Sequence, residues 1–238
     1  MGSNTEATKI TLYTSVNSPW AHGAQIALRE LGLKFEIVIV DVSKPRTPEY
    51  LAINPRGLVP SMDYNGTILT ESGLISQFLV DTHSSHLLKS SSEPGGALQR
   101  FRIGFFVDTF FSKVATLFFG LLHGPEEETE TEGQKLAETI VKELEPLLAD
   151  AGPFFGGSER LTLAEVQTGG FILRILSYPK YDGLLPKSVL TILETKAPNF
   201  LKWANKVASE KSVTYIWDER VAAESVTAKM KARRAAAK

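Results

Sequence analysis

Val59, Pro60, Glu71 and Ser72 together offer the means to hold a short peptide. The backbone at Val59–Pro60 reads as a strand edge, whose N–H and C=O groups can pair with an extended chain. Glu71 can take an ammonium group. Ser72 stands at a helix start, so its hydroxyl and the first free N–H groups can receive a carboxylate. A small peptide with a free α-amino acid end would use all of these. The same residues also read as an ordinary hairpin and helix with Ser72 as a cap, and local pattern alone leaves both readings open.

The stretch that must position them, NPRGLVPSMDYNGTILTESGLIS from Asn54 to Ser76, is dense in turn chemistry. Pro55 fixes φ and Gly57 accepts a positive one, which makes Asn54 to Gly57 a turn. Ser61 to Tyr64 and Thr67 to Leu69 read as short strands, and Asn65-Gly66 between them is the signal of a tight type I′ hairpin. Thr70-Glu71-Ser72 then opens a helix with Leu74, Ile75, Phe78 and Leu79 on its apolar face.

NPRGLVP, followed after a hairpin by ESGLISQFL, resembles the glutathione-binding motif of cytosolic glutathione transferases. Upstream, SPWAHGAQIALRELGLKFE resembles their first helix and the entry to the second strand. The resemblance is to omega- and tau-like, fungal-type members, some of which serve secondary-metabolite pathways such as epidithiodiketopiperazine sulfurisation. It covers the N-terminal third well and the remainder loosely. It implies glutathione as co-substrate, a hydrophobic electrophile as acceptor, a homodimer, a cytoplasmic location and a cis Val59–Pro60 bond.

On that resemblance, the chemistry belongs to the loop before the first helix. A thiol with a pKa of about 8.5 is little ionised at neutral pH. Lowering it by about two units takes roughly 2.7 kcal/mol of preferential thiolate stabilisation. A hydroxyl or amide donor plus the positive end of a helix can supply that, and no base is needed. Ser18 is the first candidate, because it stands immediately before Pro19-Trp20, where related omega-like proteins and glutathionyl-hydroquinone reductases carry cysteine. Asn17 and Ser15 follow, with Tyr13 behind them. Ser18-Pro19 is equally an N-cap followed by the first helical residue.

Two departures from the family pattern bear on the ligand's far end. Gly23 and Gln25 stand where many relatives carry arginine, and Thr47 stands where omega-like members place a lysine. Lys44 or Arg46 could replace that charge for the glycyl carboxylate. His22 reads either as a ligand-facing group or as a solvated helix histidine, the second being the default.

The elements that carry these residues follow from pattern. Lys9 to Tyr13 alternates as a first strand, Pro19 opens a helix ending at Gly32, and Phe35 to Asp41 is a β-branched run typical of a buried strand. Strand, helix, strand implies parallel pairing with a right-handed crossover. With the hairpin and its helix this is a thioredoxin-like βαβ-ββα domain over residues 8–84. A linker rich in Ser, Gly and Pro follows over 85–96, then an all-helical domain over 97–231. The fold class expected is therefore α/β followed by all-α.

The helical half opens with a phenylalanine-rich stretch, Ala97 to Leu122, whose aromatics occupy more than one face. Core is the default role for each. In the family the corresponding helix lines the electrophile pocket, which makes Phe105, Phe106, Phe110 and Lys113 the acceptor-pocket candidates. Thr162 and Glu165 fit a capping box opening Val166 to Leu176, which is assigned to folding. Further helices are expected over 186–195, 198–210 and 220–231, with the basic tail beyond Lys229 frayed.

Composition narrows the function classes. The chain has 238 residues, 43% hydrophobic and 22% charged, with a formal net charge of −1. That balance offers no electrostatic reason for a nucleic-acid or anionic-membrane partner. Arg102, Asp108 and Lys113 make residues 101–122 a poor membrane span. With no cysteine there is no disulfide, no thiolate metal site and no cysteine nucleophile, and no metal motif appears among the histidines. A reductase of dehydroascorbate or quinone type would need an enzyme thiolate for its mixed disulfide, which this chain cannot supply. A glutathione-binding carrier without turnover is the other alternative.

Overall fold

The computed structural model describes residues 8–236. The polar start before Thr8 and the last two residues of the basic tail lie outside the described residues. The chain divides into two compact units, the first reaching Ser85 and the second beginning at His86.

The first unit has the order β1 (Ile10–Thr14), α1 (Pro19–Glu30), β2 (Glu36–Ile39), α2 (Pro48–Ile53), β3 (Ser61–Tyr64), β4 (Thr67–Thr70) and α3 (Ser72–Thr82). Its sheet runs β2-β1-β3-β4, with β1 parallel to β2 and the other neighbours antiparallel. This is the thioredoxin-like βαβαββα arrangement, in which α2 stands between β2 and β3. Leu12 and Met62 are buried from the sheet and Ile26, Leu28, Ile75 and Leu79 from α1 and α3, which pack on each other. Asn65 and Gly66 both take positive φ, 52° and 86°, as a type I′ turn requires.

Three expectations are corrected here. β2 is an exposed edge strand, not a buried one: Ile37, Val38 and Ile39 are all exposed, and among the described residues β1 is the only strand that pairs with it. Leu74 is exposed at 67%, since burial in α3 follows Ile75, Ser76 and Leu79. His22 is buried at 1%, because α1 buries every residue from Ala21 to Leu28.

The second unit is helical: α4 (Gly96–Thr109), α5 (Thr116–His123), α6 (Thr129–Glu143), α7 (Leu163–Ser177), α8 (Ser188–Lys196), α9 (Pro198–Ser209), α10 (Lys211–Thr214) and α11 (Glu219–Ala236). A π-helical turn, Phe110–Ala115, joins α4 to α5 without a break. The joined helix is long and apolar enough to cross a membrane by length and composition, yet its phenylalanines build a core. Phe171 of α7 lies 5.5–6.2 Å from the rings of Phe110, Phe111, Phe118 and Phe119. Eight residues of regular α-helix would turn Phe118 roughly 80° away from Phe110. The wider π turn absorbs that difference, so both pairs meet one ring.

The segment expected as a linker belongs to this unit. Leu87 and Leu88 are buried, and the Leu163 N–H donates to the Leu87 carbonyl at 2.9 Å. The capping box of α7 is formed. The tail expected to fray continues as helix to Ala236.

Candidate functional site

The loop between α2 and β3 is set by side chains that clamp its backbone. The Asn54 side-chain amide donates to the Leu58 carbonyl at 3.0 Å and to Ser61 Oγ at 3.1 Å, and Tyr50 Oη donates to the same carbonyl. Burial pushes the Tyr50 hydroxyl pKa up, with opposing hydrogen bonds from Ser61 and Asn54. Gly57 sits at φ 63°, and a Cβ there would come 2.9 Å from Arg46 Cγ, so a side chain would strain the backbone and displace Arg46. The Val59–Pro60 bond is cis.

Past the hairpin, Glu71 occupies φ 69°, ψ 112°, a conformation rare for any side-chain-bearing residue. It is the N-cap position of α3, and Ser72 is the first helical residue. Ser72 is therefore not the cap. Arg56 Nη2 pairs with Glu71 Oε1 at 2.7 Å and donates to Thr70 Oγ1 at 3.1 Å.

These segments enclose a cavity of about 210 Å³ within the first unit. Val59, Pro60, Glu71 and Ser72, the expected ligand-holding residues, all line it. Trp20, Asn54 and Leu58 line it too. Those three were not singled out as site residues in the sequence: Asn54 reads as a turn residue, Leu58 stands within the NPRGLVP motif, and Trp20 is the aromatic of the Ser-Pro-aromatic pattern. The NPRGLVP motif and the Ser-Pro-aromatic pattern were the signals that could have found them.

The activation candidates sit where α1 begins. The Ser18 N–H donates to the Ser15 carbonyl at 3.2 Å, closing a turn in which Asn17 has φ 65°. Ser18 Oγ caps α1 by accepting from the Ala21 N–H at 3.2 Å. Ser15 is buried and the ring of Tyr13 packs on Tyr50. Trp20, two residues after Ser18, reaches the cavity.

The remaining candidates lie elsewhere. Arg46 does not line the cavity. Its guanidinium donates to the carbonyls of Gly57 and Asp41 at 2.9 and 3.1 Å, and to those of Val42 and Lys44, so it straps the loop together. Phe106 and Phe110 are fully buried, the first against Trp203 and Phe155, the second against Phe171. They are core residues and do not border an open pocket. Phe105 is exposed and stacks on Phe101, with ring planes 17° apart. Lys113 is exposed on the π turn. Among the described residues, no group of three or more His, Asp or Glu is placed to hold a metal.

Residues 17–82 match the family profile described as "Glutathione S-transferase, N-terminal domain". The chain is 44% identical over 62 residues to the glutathione S-transferase-like protein gedE of Aspergillus terreus, a match spanning 25% of this chain and 27% of that relative. Among solved structures, rice GST1 in complex with glutathione superposes with a TM-score of 0.80 at 26% identity, covering 95% of this chain and 98% of the other. Glutathione transferase Omega 1C of Trametes versicolor gives 0.79 at 23% identity over 94% and 98% of the two chains.

Proposed function

The chain is a member of the glutathione transferase superfamily, and from that premise we propose that it binds glutathione in the first unit's cavity and transfers its thiolate sulfur to a hydrophobic electrophile. The observation that carries this reading is the convergence of Val59, Pro60, Glu71 and Ser72 on one cavity that Trp20, from the start of α1, also lines.

In this reading the γ-glutamyl ammonium pairs with Glu71. Its carboxylate meets Ser72 and the free N–H groups opening α3. The cysteinyl backbone pairs with Val59, next to the cis-proline. The sulfur comes to the N-terminal end of α1. Ser18 Oγ uses a lone pair for the Ala21 N–H, which leaves its hydrogen to donate to the sulfur. The thiol proton is lost to water and the thiolate forms a bond to the electrophilic carbon; in a substitution the leaving group departs from that carbon with its bonding pair, and in an addition the π pair moves onto the acceptor and takes a proton from water. Asn17 and Ser15 are the alternative donors. We read the protein as a cytoplasmic homodimer that uses glutathione as co-substrate without a metal. A biosynthetic intermediate stands beside foreign electrophiles as an acceptor class to assay.

The test is an ultraviolet titration of thiolate absorbance with glutathione bound, from acid to mildly alkaline pH. The bound thiol is expected to ionise about two units below the free value. Glu71→Gln should need at least tenfold more glutathione for the same signal. Binding without ionisation would make the protein a carrier, and no binding would overturn the reading.

A further inference from the structure

Resting on the proposal that this cavity holds glutathione, we propose that the site reads charge at one end of its ligand only: it recognises the γ-glutamyl end and leaves the C-terminal carboxylate unread. Its thiol substrates then include γ-glutamyl thiols that lack that carboxylate.

The charged and helix-terminal groups of the cavity gather at Glu71 and Ser72. The rest of its lining is Trp20, Leu58, Val59 and Pro60 with the amide of Asn54, and none of the described lining residues is a cation. Leu58 is exposed at 57%. Its carbonyl is clamped inward by Tyr50 and Asn54, so the backbone at this position is not free to turn.

The cations on the neighbouring loop already have partners. Arg46 spends its donors on four loop carbonyls, and drawing it toward a ligand would strand the Gly57 carbonyl that it holds at 2.9 Å. Lys44 pairs with Asp41 at 3.5 Å, and Arg56 pairs with Glu71 at 2.7 Å. A carboxylate set against Leu58 and Trp20 meets no cation there and only the neutral indole N–H as a donor, so it stays hydrated at the mouth and contributes little to selection.

The experiment is calorimetric binding of glutathione, its C-terminal amide, γ-glutamylcysteine and N-acetylglutathione to the full chain. The amide and γ-glutamylcysteine should bind within threefold of glutathione, and blocking the amine should cost more than tenfold. Leu58→Lys supplies the missing cation and should favour glutathione over its amide by fivefold or more. A tenfold loss on amidation in the wild-type chain would overturn the inference while leaving the glutathione site standing. A Leu58→Lys chain that still treats acid and amide alike would overturn Leu58 as the determinant. Failure of the wild type to bind any of the four overturns both this inference and the proposed function.

Discussion

Ser18 Oγ accepts the Ala21 N–H at the start of α1, and the same hydroxyl is the proposed donor to the bound sulfur. The two roles separate by substitution. Replacing a capping serine with alanine costs about 1 kcal/mol, whereas glycine costs only about a few tenths. Ser18→Gly should therefore keep the melting temperature close to wild type while the bound thiol's pKa climbs back toward its free value. Unchanged thiolate absorbance in that variant would leave Ser18 a cap and move the donor to Asn17 or Ser15. Arg46 teaches the complementary lesson. Its charge is legible in sequence, but its four carbonyl acceptors, which decide where that charge is spent, come from backbone that only the folded loop brings within reach.

At the level of elements, the start of α7 is tied to its surroundings through one buried carboxylate. Glu165 is fully buried, and its carboxylate accepts from the Thr162 N–H, Thr162 Oγ1, the Phe155 N–H and Trp203 Nε1, at 2.6–2.7 Å. Removing it strands several buried donors, each worth about 1–3 kcal/mol. Glu165→Ala should lower stability by about 3–5 kcal/mol, and Glu165→Gln by less, because one amide oxygen still accepts. Denaturant unfolding followed by tryptophan fluorescence measures both; equal losses would show that space, not hydrogen bonding, is at stake. The box itself was legible, since Thr and Glu three apart is a local signature. Its reach to Phe155 and Trp203 was not, because those partners are distant in sequence. The π turn was hidden for a similar reason. It is a response to one ring, Phe171, that four phenylalanines share.

For the molecule as a whole, stability on the acid side is linked to His123 at the end of α5. Burial holds its pKa below the usual histidine value of about 6.5, and the positive charge of Arg233 adds to the effect. The unfolded chain then takes up a proton more readily than the folded one. This contribution is fully present above about pH 6.5 and is lost as pH falls through the lower folded value. The melting temperature should decline as pH falls below about 6.5, and His123→Asn should flatten that slope. An unchanged slope in the variant would place the acid sensitivity elsewhere.

Local chemistry determined much of this protein. Pro19, Asn65-Gly66, the Asn54–Gly57 turn and the Thr162–Glu165 box act through their own backbone within a few residues, so the order of strands and helices, and the place of the cluster proposed to hold the ligand, could be read along the chain. The tertiary structure alone decided which apolar faces are covered. It left β2 at an open edge, turned Leu74 outward, buried His22, and sent Phe106 and Phe110 into a core. It also committed Arg46 to the loop and brought Trp20 and Leu58 to the cavity. Hydrophobic burial is set by whatever packs opposite, and polar selectivity by which partners are already taken. Neither quantity belongs to a residue until the chain has closed around it.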